Sequence, residues 1–304
     1  MIQPLYLKKG DKVAIVAPAR KISKEELAPA IAYLNEWGLE VSLGNNLFKE
    51  MNQFAGTDEE RAKDLQTALD DPSIKAILFA RGGYGSVRII DQIDWSGFKK
   101  NPKWLIGYSD ITVLHSHVHR HLQIETLHAP MVFNFEKQNN ESKKRLRETL
   151  FGSSLEYHFP ENIFYDINRN GETNGELVGG NLSILYSLLG SASDIDTKGK
   201  ILFLEDIDEY LYHVDRMMMA LKRNGKLSNL AGLIVGGMTD MKDNKVRFDK
   251  TAEQIISEAV AEYSYPVFYG FPSGHIRNNF PLIFGRKARL TVDVDTSLSY
   301  KVQL

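Results

Sequence analysis

The chain has 304 residues, 43% of them hydrophobic and 25% charged, with a net charge of -2 and no cysteine. That length suggests about two domains of ~150 residues, each able to bury a core. The near-neutral charge gives no reason to expect nucleic acid or an anionic membrane as partner, and the missing thiols exclude disulfides, thiolate metal sites and a cysteine nucleophile. The apolar start, Met1-Ile2-Gln3-Pro4-Leu5-Tyr6-Leu7, is too short for a signal-peptide core, and its lysines follow it rather than precede it. No apolar run nears the ~18 residues that span a bilayer. A soluble, cytoplasmic protein is the expectation.

In chain order, Lys12 to Ala17 reads as a buried strand closed by Pro18. Ser23-Lys24-Glu25-Glu26 is a capping box that opens a helix through Trp37. Leu39 to Leu43 is a second strand. Thr57-Asp58-Glu59-Glu60 is another capping box, with a helix over Arg61 to Leu69. Ile74 to Ala80 is a third strand, running into Arg81-Gly82-Gly83-Tyr84-Gly85, and a helix from about Ser86 precedes a strand at Lys103 to Ile106. This alternation predicts an α/β protein with a parallel sheet and helices on both faces.

The pattern weakens after Leu150. Residues 152–176 are rich in Gly, Ser, Asn and Glu, with a turn at Asn170-Gly171. The expected organisation is an N-terminal α/β domain over 1–152, a linker and hairpin over 153–176, and a smaller mixed α/β domain over 177–304. The second domain opens with Gly179-Gly180-Asn181 and a helix to Leu189. A strand at Lys200 to Glu205, a helix at Tyr212 to Arg223, a strand at Leu233 to Gly237 and a helix at Thr251 to Tyr263 follow. Ala288 to Val294 alternates like a half-exposed strand.

Several residues offer chemistry. Trp104, Leu105 and Ile106 end a strand, Gly107 allows a sharp turn, and Ile111, Val113 and Leu114 begin a helical pattern. Ser109 therefore sits on a strand-to-helix elbow, which aims its hydroxyl at the positive end of a helix as serine hydrolases do. The residues leave a second reading open, a helix N-cap. The glycines of the 81–85 loop let N–H groups face a ligand, as an oxyanion hole, a phosphate-binding turn or simply a tight turn. The loop lacks the Lys-Ser/Thr of a P-loop and the spacing of a dinucleotide site. Glu205 and Asp206 end a strand, at the edge where open α/β sheets bind ligands; an N-cap or surface pair is the alternative. His115, His117, His119 and His121 form i, i+4 pairs without an acidic partner at metal-ligand spacing, so a solvated helix face is expected and no metal. His128 and His275, the latter in Phe271-Pro272-Ser273-Gly274-His275, are each a candidate base or a structural histidine. The order Ser, Glu, His is met in α/β-hydrolases, but Ile111 stands where G-x-S-x-G has its second glycine.

Gly10 to Pro18, Phe54 to Asp58, Ala80 to Gly85, Ile106 to Asp110, Gly179-Gly180-Asn181-Leu182, Phe203-Leu204-Glu205-Asp206 and Gly274-His275 occur in this order. The series resembles the LD-carboxypeptidase family of serine peptidases, which includes the microcin C7 self-immunity peptidases, over about residues 10 to 290. The resemblance implies a catalytic triad with Ser109 as nucleophile, His275 as base and Glu205 as orienting acid. It implies an oxyanion hole from the backbone N–H groups of Gly83 and Asp110. The nucleophile would lie on the N-terminal domain and the other two residues on the C-terminal one, placing the active site in the cleft between them. No cofactor or metal is implied.

By the same resemblance the substrate is a murein tetrapeptide, cut between the L-centre of diaminopimelate or lysine and terminal D-alanine in cytoplasmic cell-wall recycling. A homodimer is the expected assembly. A free terminal carboxylate calls for a cation or N–H donors. Arg81 is one candidate, with a structural ion pair as its other reading, and Tyr84 and Asn181 are further candidate substrate-binding residues. Two other functions stay open: a microcin C7-type immunity peptidase cleaving peptidyl or aminoacyl adenylates, and a non-catalytic ligand-binding module on the same scaffold. Immunity peptidases tend to carry a longer loop with an aromatic residue that stacks on adenine. Here Ser191 to Gly199 is short and has none, which favours the carboxypeptidase. Ala19 and Arg20 depart from the pattern, since relatives often carry serines after the proline.

Overall fold

The computed structural model describes residues 1–160 and 165–300. The chain divides into two compact units, one of residues 1–153 with 277–283, the other of 154–276 with 284–304.

The first unit is built on strands β1 (Lys12–Val16), β2 (Glu40–Leu43), β3 (Ile74–Phe79), β4 (Trp104–Gly107) and β5 (Thr126–His128). β1 runs parallel to both β2 and β3, β3 to β4, and β4 to β5. The order is therefore 2-1-3-4-5, with a short strand at Leu282–Phe284 outside β5. The near-continuous burial of β3 and β4 is what a parallel sheet covered on both faces requires. In this order the strand sequence reverses between β1 and β3, and open α/β sheets take ligands at the carboxyl ends beside such a reversal.

Both capping boxes are present. Ser23 caps the helix Lys24–Glu36 and Thr57 caps Asp58–Asp70, each with the reciprocal glutamate contact. A helix does start at Ser86, but the stretch is broken into one turn, Ser86–Ile89, a 3-10 turn, Ile90–Gln92, and a second short helix, Ser96–Lys100. Asp94 breaks the run because its carboxylate accepts from the Ser96 N–H (2.9 Å) and Oγ–H (3.0 Å).

The second unit holds strands β6 (Glu156–Phe159), β7 (Gly171–Asn181), β8 (Ile201–Ile207), β9 (Gly232–Thr239) and β10 (Val267–Tyr269). Counting the Leu282–Phe284 strand as β11, β12 (Lys287–Val292) and β13 (Thr296–Tyr300) follow. The sheet order is β10-β9-β8-β7-β12-β13-β6. β7 to β10 run parallel, and β12, β13 and β6 add antiparallel pairs, so the sheet is mixed. The segment expected to turn at Asn170-Gly171 instead begins an 11-residue strand. Residues 171–176 pair with β12 and residues 177–181 with β8, and this pairing overrides a composition poor in strand formers. The following helix, Leu182–Ser187, is correspondingly short. The helix opened by the Thr251 capping box ends at Ala259 rather than Tyr263. Leu211–Arg223 buries Leu211, Val214, Met217, Met218 and Leu221, an i, i+3, i+4 stripe. Among the described residues no helix is long and apolar enough to cross a membrane.

Candidate active site

At the end of β4 the chain extends through Tyr108 (φ -148°, ψ -170°) and then turns sharply. Ser109–Ile111 form a 3-10 turn that runs into the helix Thr112–His121. Ser109 itself has φ +62°. A residue with a β-carbon is strained there, and such strain clusters at functional sites. Gly107 has no room for a side chain, because a β-carbon would stand 2.9 Å from Ile111 Cγ1. Its carbonyl is gripped twice, by the Ala129 N–H at 3.2 Å and by His115 Nε2 at 2.9 Å.

His115 is fully buried, and burial pushes its pKa down to about 4. The ring is therefore neutral at pH 7, and Nε2 carries the proton that it donates to Gly107. His119 is also buried and meets Thr126 Oγ1 at 3.0 Å. The expected solvated histidine face is thus corrected. Positions 115 and 119 share the helix face that packs on β4 and β5, and His121 alone of the four is exposed. His128, at the end of β5, is buried with its ring edge-on to Tyr108 at 5.9 Å.

The 81–85 loop leaves β3 beside this elbow. A β-carbon on Gly82 would lie 3.3 Å from Ser109 Cβ and 3.4 Å from the Asp110 nitrogen. Gly83 has φ +101°. Neither Gly83 N–H nor Asp110 N–H has a backbone acceptor among the described hydrogen bonds. For Asp110 this follows from its place in the first turn of a helix. The Asp110 carboxylate is buried and accepts from the Ser86 N–H at 2.8 Å, tying the loop's exit to the elbow. Burial raises its pKa, against the lowering effect of the Ser86 bonds.

Arg61, on the helix Asp58–Asp70, is 1% exposed and donates to Pro18 O and, at 3.0 Å, to Gly85 O. It also pairs with Asp58, which Arg88 holds from outside at 2.6 and 3.0 Å. Arg61 thus fastens the β1 and β3 loops together. Sequence reasoning missed it because its i, i+3 spacing from Asp58 reads as an ordinary surface pair.

The candidate substrate residues are differently placed. Arg81 faces Glu26 at 3.3 Å, and its guanidinium lies 5.1 Å over the Phe133 ring. Tyr84 is 43% exposed, 5.9 Å from the Phe54 ring. Asn181 is buried as the N-cap of Leu182–Ser187. Its Oδ1 accepts from the Ile184 N–H (3.2 Å) and Ser183 Oγ–H (2.8 Å), and its Nδ2 donates to Asp206 at 2.9 Å.

In the second unit, β8 carries Glu205 with no exposed surface. His275 Nδ1 lies 2.7 Å from Glu205 Oε2, and the same oxygen accepts the His275 backbone N–H at 3.2 Å. Glu205 Oε1 is buried without a hydrogen bond. Burial alone would lower the His275 pKa. The charge and hydrogen bond of Glu205, with a smaller contribution from Asp206, outweigh burial and hold it above the ordinary histidine value. Gly274 makes the contact possible: its φ is +107°, and a β-carbon would stand 2.6 Å from Glu205 Oε2. The loop is fastened to β9, with Ser273 O accepting the Gly237 N–H at 3.0 Å. Asp206 bonds instead to Asn181, Ser183 and its own neighbour Ile207. Burial, then the adjacent Glu205 charge, pushes its pKa up to about 7. Of the two strand-end carboxylates left open by the sequence, Glu205 is the one brought to a histidine. Among the described residues no three His, Cys, Asp or Glu side chains are arranged to hold a metal ion.

A serine elbow in one unit and a carboxylate-held imidazole in the other are parts that peptide hydrolysis uses. Residues 13–129 match the LD-carboxypeptidase N-terminal domain and residues 174–290 the LD-carboxypeptidase C-terminal domain. The chain belongs to the LD-carboxypeptidase family and is by that membership a peptidase. It is 36% identical over 299 residues to the probable murein peptide carboxypeptidase of Bacillus subtilis, covering 97% of this chain and 93% of that one. The crystal structure of muramoyltetrapeptide carboxypeptidase from Oxalobacter formigenes matches with a TM-score of 0.86 at 27% identity, covering 96% of this chain and 99% of that one. MccF in complex with glutamyl sulfamoyl guanosine matches at TM-score 0.87 over 100% of this chain and 99% of that one; at 20% identity this is a likeness of fold alone.

Proposed function

We propose that the protein is a serine-type LD-carboxypeptidase that releases terminal D-alanine from murein tetrapeptides. The observation that carries this reading is the imidazole of His275 held by buried Glu205, in a chain akin to enzymes named for murein peptides. With Nδ1–H donated to Glu205, the neutral imidazole presents a lone pair at Nε2. In the proposed reaction Nε2 takes the Ser109 Oγ proton as Oγ attacks the scissile carbonyl carbon. The imidazolium so formed is stabilised by Glu205, as the acid of a Ser-His-Asp triad stabilises its histidine. The N–H groups of Gly83 and Asp110 receive the oxyanion, an effect on the order of 3 kcal/mol per donor. The tetrahedral species collapses, the C–N bond breaks, and D-alanine leaves with the proton from Nε2. Water then adds to the acyl carbon as Nε2 takes its proton; the C–Oγ bond breaks, Nε2 returns that proton to Ser109 Oγ, and the tripeptide leaves with its new carboxyl group.

The reading includes action in the cytoplasm, in cell-wall recycling, as a homodimer. Cleavage of adenylates is not favoured, because the short 191–199 loop offers no aromatic ring for stacking. The test is mass spectrometry of a murein tetrapeptide incubated with the protein. Tripeptide plus free D-alanine is expected, and Ser109→Ala should abolish both. An intact tetrapeptide, with equimolar protein and long incubation, would refute the proposal.

A further inference from the structure

The departure after Pro18 puts a cation where the fold places its ligand edge. Arg20 follows the carboxyl end of β1, at the β1/β3 reversal. Its backbone is pinned on two sides: its N–H donates to Gly82 O at 3.3 Å, and it bridges to Phe54. Its side chain is exposed and has no ion pair among the described residues. The aliphatic stem lies against the loop. A β-carbon on Gly83 would stand 2.5 Å from Arg20 Cδ and 2.7 Å from Nε. The contacts run in series, since Gly82 faces Ser109 and Gly83 faces Arg20, with one peptide unit between the two glycines. Arg81, the cation singled out from sequence, is already engaged by Glu26 and stacked on Phe133. Arg61 is buried and held by Asp58.

In a peptide ending in D-alanine, the terminal carboxylate is three bonds from the scissile carbonyl carbon. Whatever holds it must stand beside both the nucleophile and the oxyanion donors. We propose that Arg20 binds the terminal carboxylate of the peptide substrate and sets the preference for a free C-terminus. This rests on the carboxypeptidase reading above. A guanidinium fork suits the task, because it meets a carboxylate with two parallel N–H donors and stays charged at every working pH. The backbone anchors hold the base of the side chain in place before substrate arrives, so less freedom is lost on binding. The glycine at position 83 then has a second reason to be bare: a side chain there would displace the arginine stem.

The experiment is calorimetric binding to Ser109→Ala protein, which does not depend on turnover. The ligands are a murein tetrapeptide with a free C-terminus and the same peptide as its C-terminal amide. With Arg20 present, the acid should bind about 10- to 100-fold more tightly than the amide. In the Ser109→Ala, Arg20→Ala double variant the two should bind alike, with the amide's affinity unchanged. Arg20→Lys should keep an intermediate preference, since it retains charge but not the fork. Equal binding of acid and amide with Arg20 intact overturns the proposal, as does a preference that survives Arg20→Ala, an equal loss for both ligands, or no binding of either. If the acid preference is found but the parent protein releases no D-alanine, the reaction assigned above fails while the carboxylate site stands.

Discussion

Substituting Gly274 with alanine probes the Glu205–His275 contact without removing either group. The new β-carbon would sit 2.6 Å from Glu205 Oε2 and 2.8 Å from Glu205 Cβ. A carbon–oxygen contact relaxes at about 3.3 Å, so the carboxylate or the loop must retreat by roughly 0.7 Å. The φ of +107° adds backbone strain on the order of 1–3 kcal/mol for any residue with a β-carbon. A displacement near 1 Å in a catalytic constellation lowers turnover by about 100-fold. Gly274→Ala should therefore reduce kcat for D-alanine release by about that factor while leaving KM within a few-fold. It should also bring the His275 pKa, followed by NMR titration, down toward the ordinary value, because the Glu205 charge and hydrogen bond raise it. Full activity in the alanine variant, with the His275 pKa still raised, would refute this account of how the imidazole is held.

His275→Ala should lose nearly all activity while His128→Ala keeps most of it; the reverse pattern in steady-state assays would move the base to His128. Covalent labelling by a fluorophosphonate should occur in the parent protein and vanish in Ser109→Ala, so undiminished labelling of Ser109→Ala would point to another nucleophile. His115 should make the fold acid-sensitive. Its pKa is depressed from 6.5 to about 4, so between those values the unfolded ring takes a proton that the folded ring refuses. Stability should fall as pH drops through that window, by on the order of 3 kcal/mol near pH 4. Urea midpoints measured from pH 7 to pH 4 should decline less in His115→Gln, and equal slopes would count against the assignment. Turnover should resist EDTA, and a loss restored by zinc would overturn the metal-free mechanism.

The strands and caps that rest on local chemistry were readable from the sequence. Apolar runs closed by Pro18 or Gly107 and the boxes at Ser23 and Thr57 specify their own conformation. What escaped was imposed from a distance. Gly171–Glu176 is polar and glycine-bearing, and it becomes a strand only because β12 lies beside it. The β13 strand has no apolar run to announce it. In the candidate site, the Ser109 elbow was legible as strand, glycine and helix in succession. The Glu205–His275 contact spans 70 positions, so no spacing rule pairs them, and only the family resemblance did. Arg61 and His115 each grip a backbone carbonyl far from them in sequence or across an elbow, and a sequence carries no sign of which carbonyl a buried donor will find.

The left-handed backbone at Ser109 has a consequence for selection. That conformation disfavours any residue with a β-carbon by about 1–2 kcal/mol, and glycine escapes the penalty. Random libraries ranked by heat tolerance alone would therefore enrich Ser109→Gly, gaining on the order of 1 kcal/mol by discarding the hydroxyl. A lineage released from the need to turn over substrate would drift the same way, toward a sturdier and silent protein. Engineering for robustness in this chain must keep turnover in the screen, because at this position the fold and the chemistry pull in opposite directions.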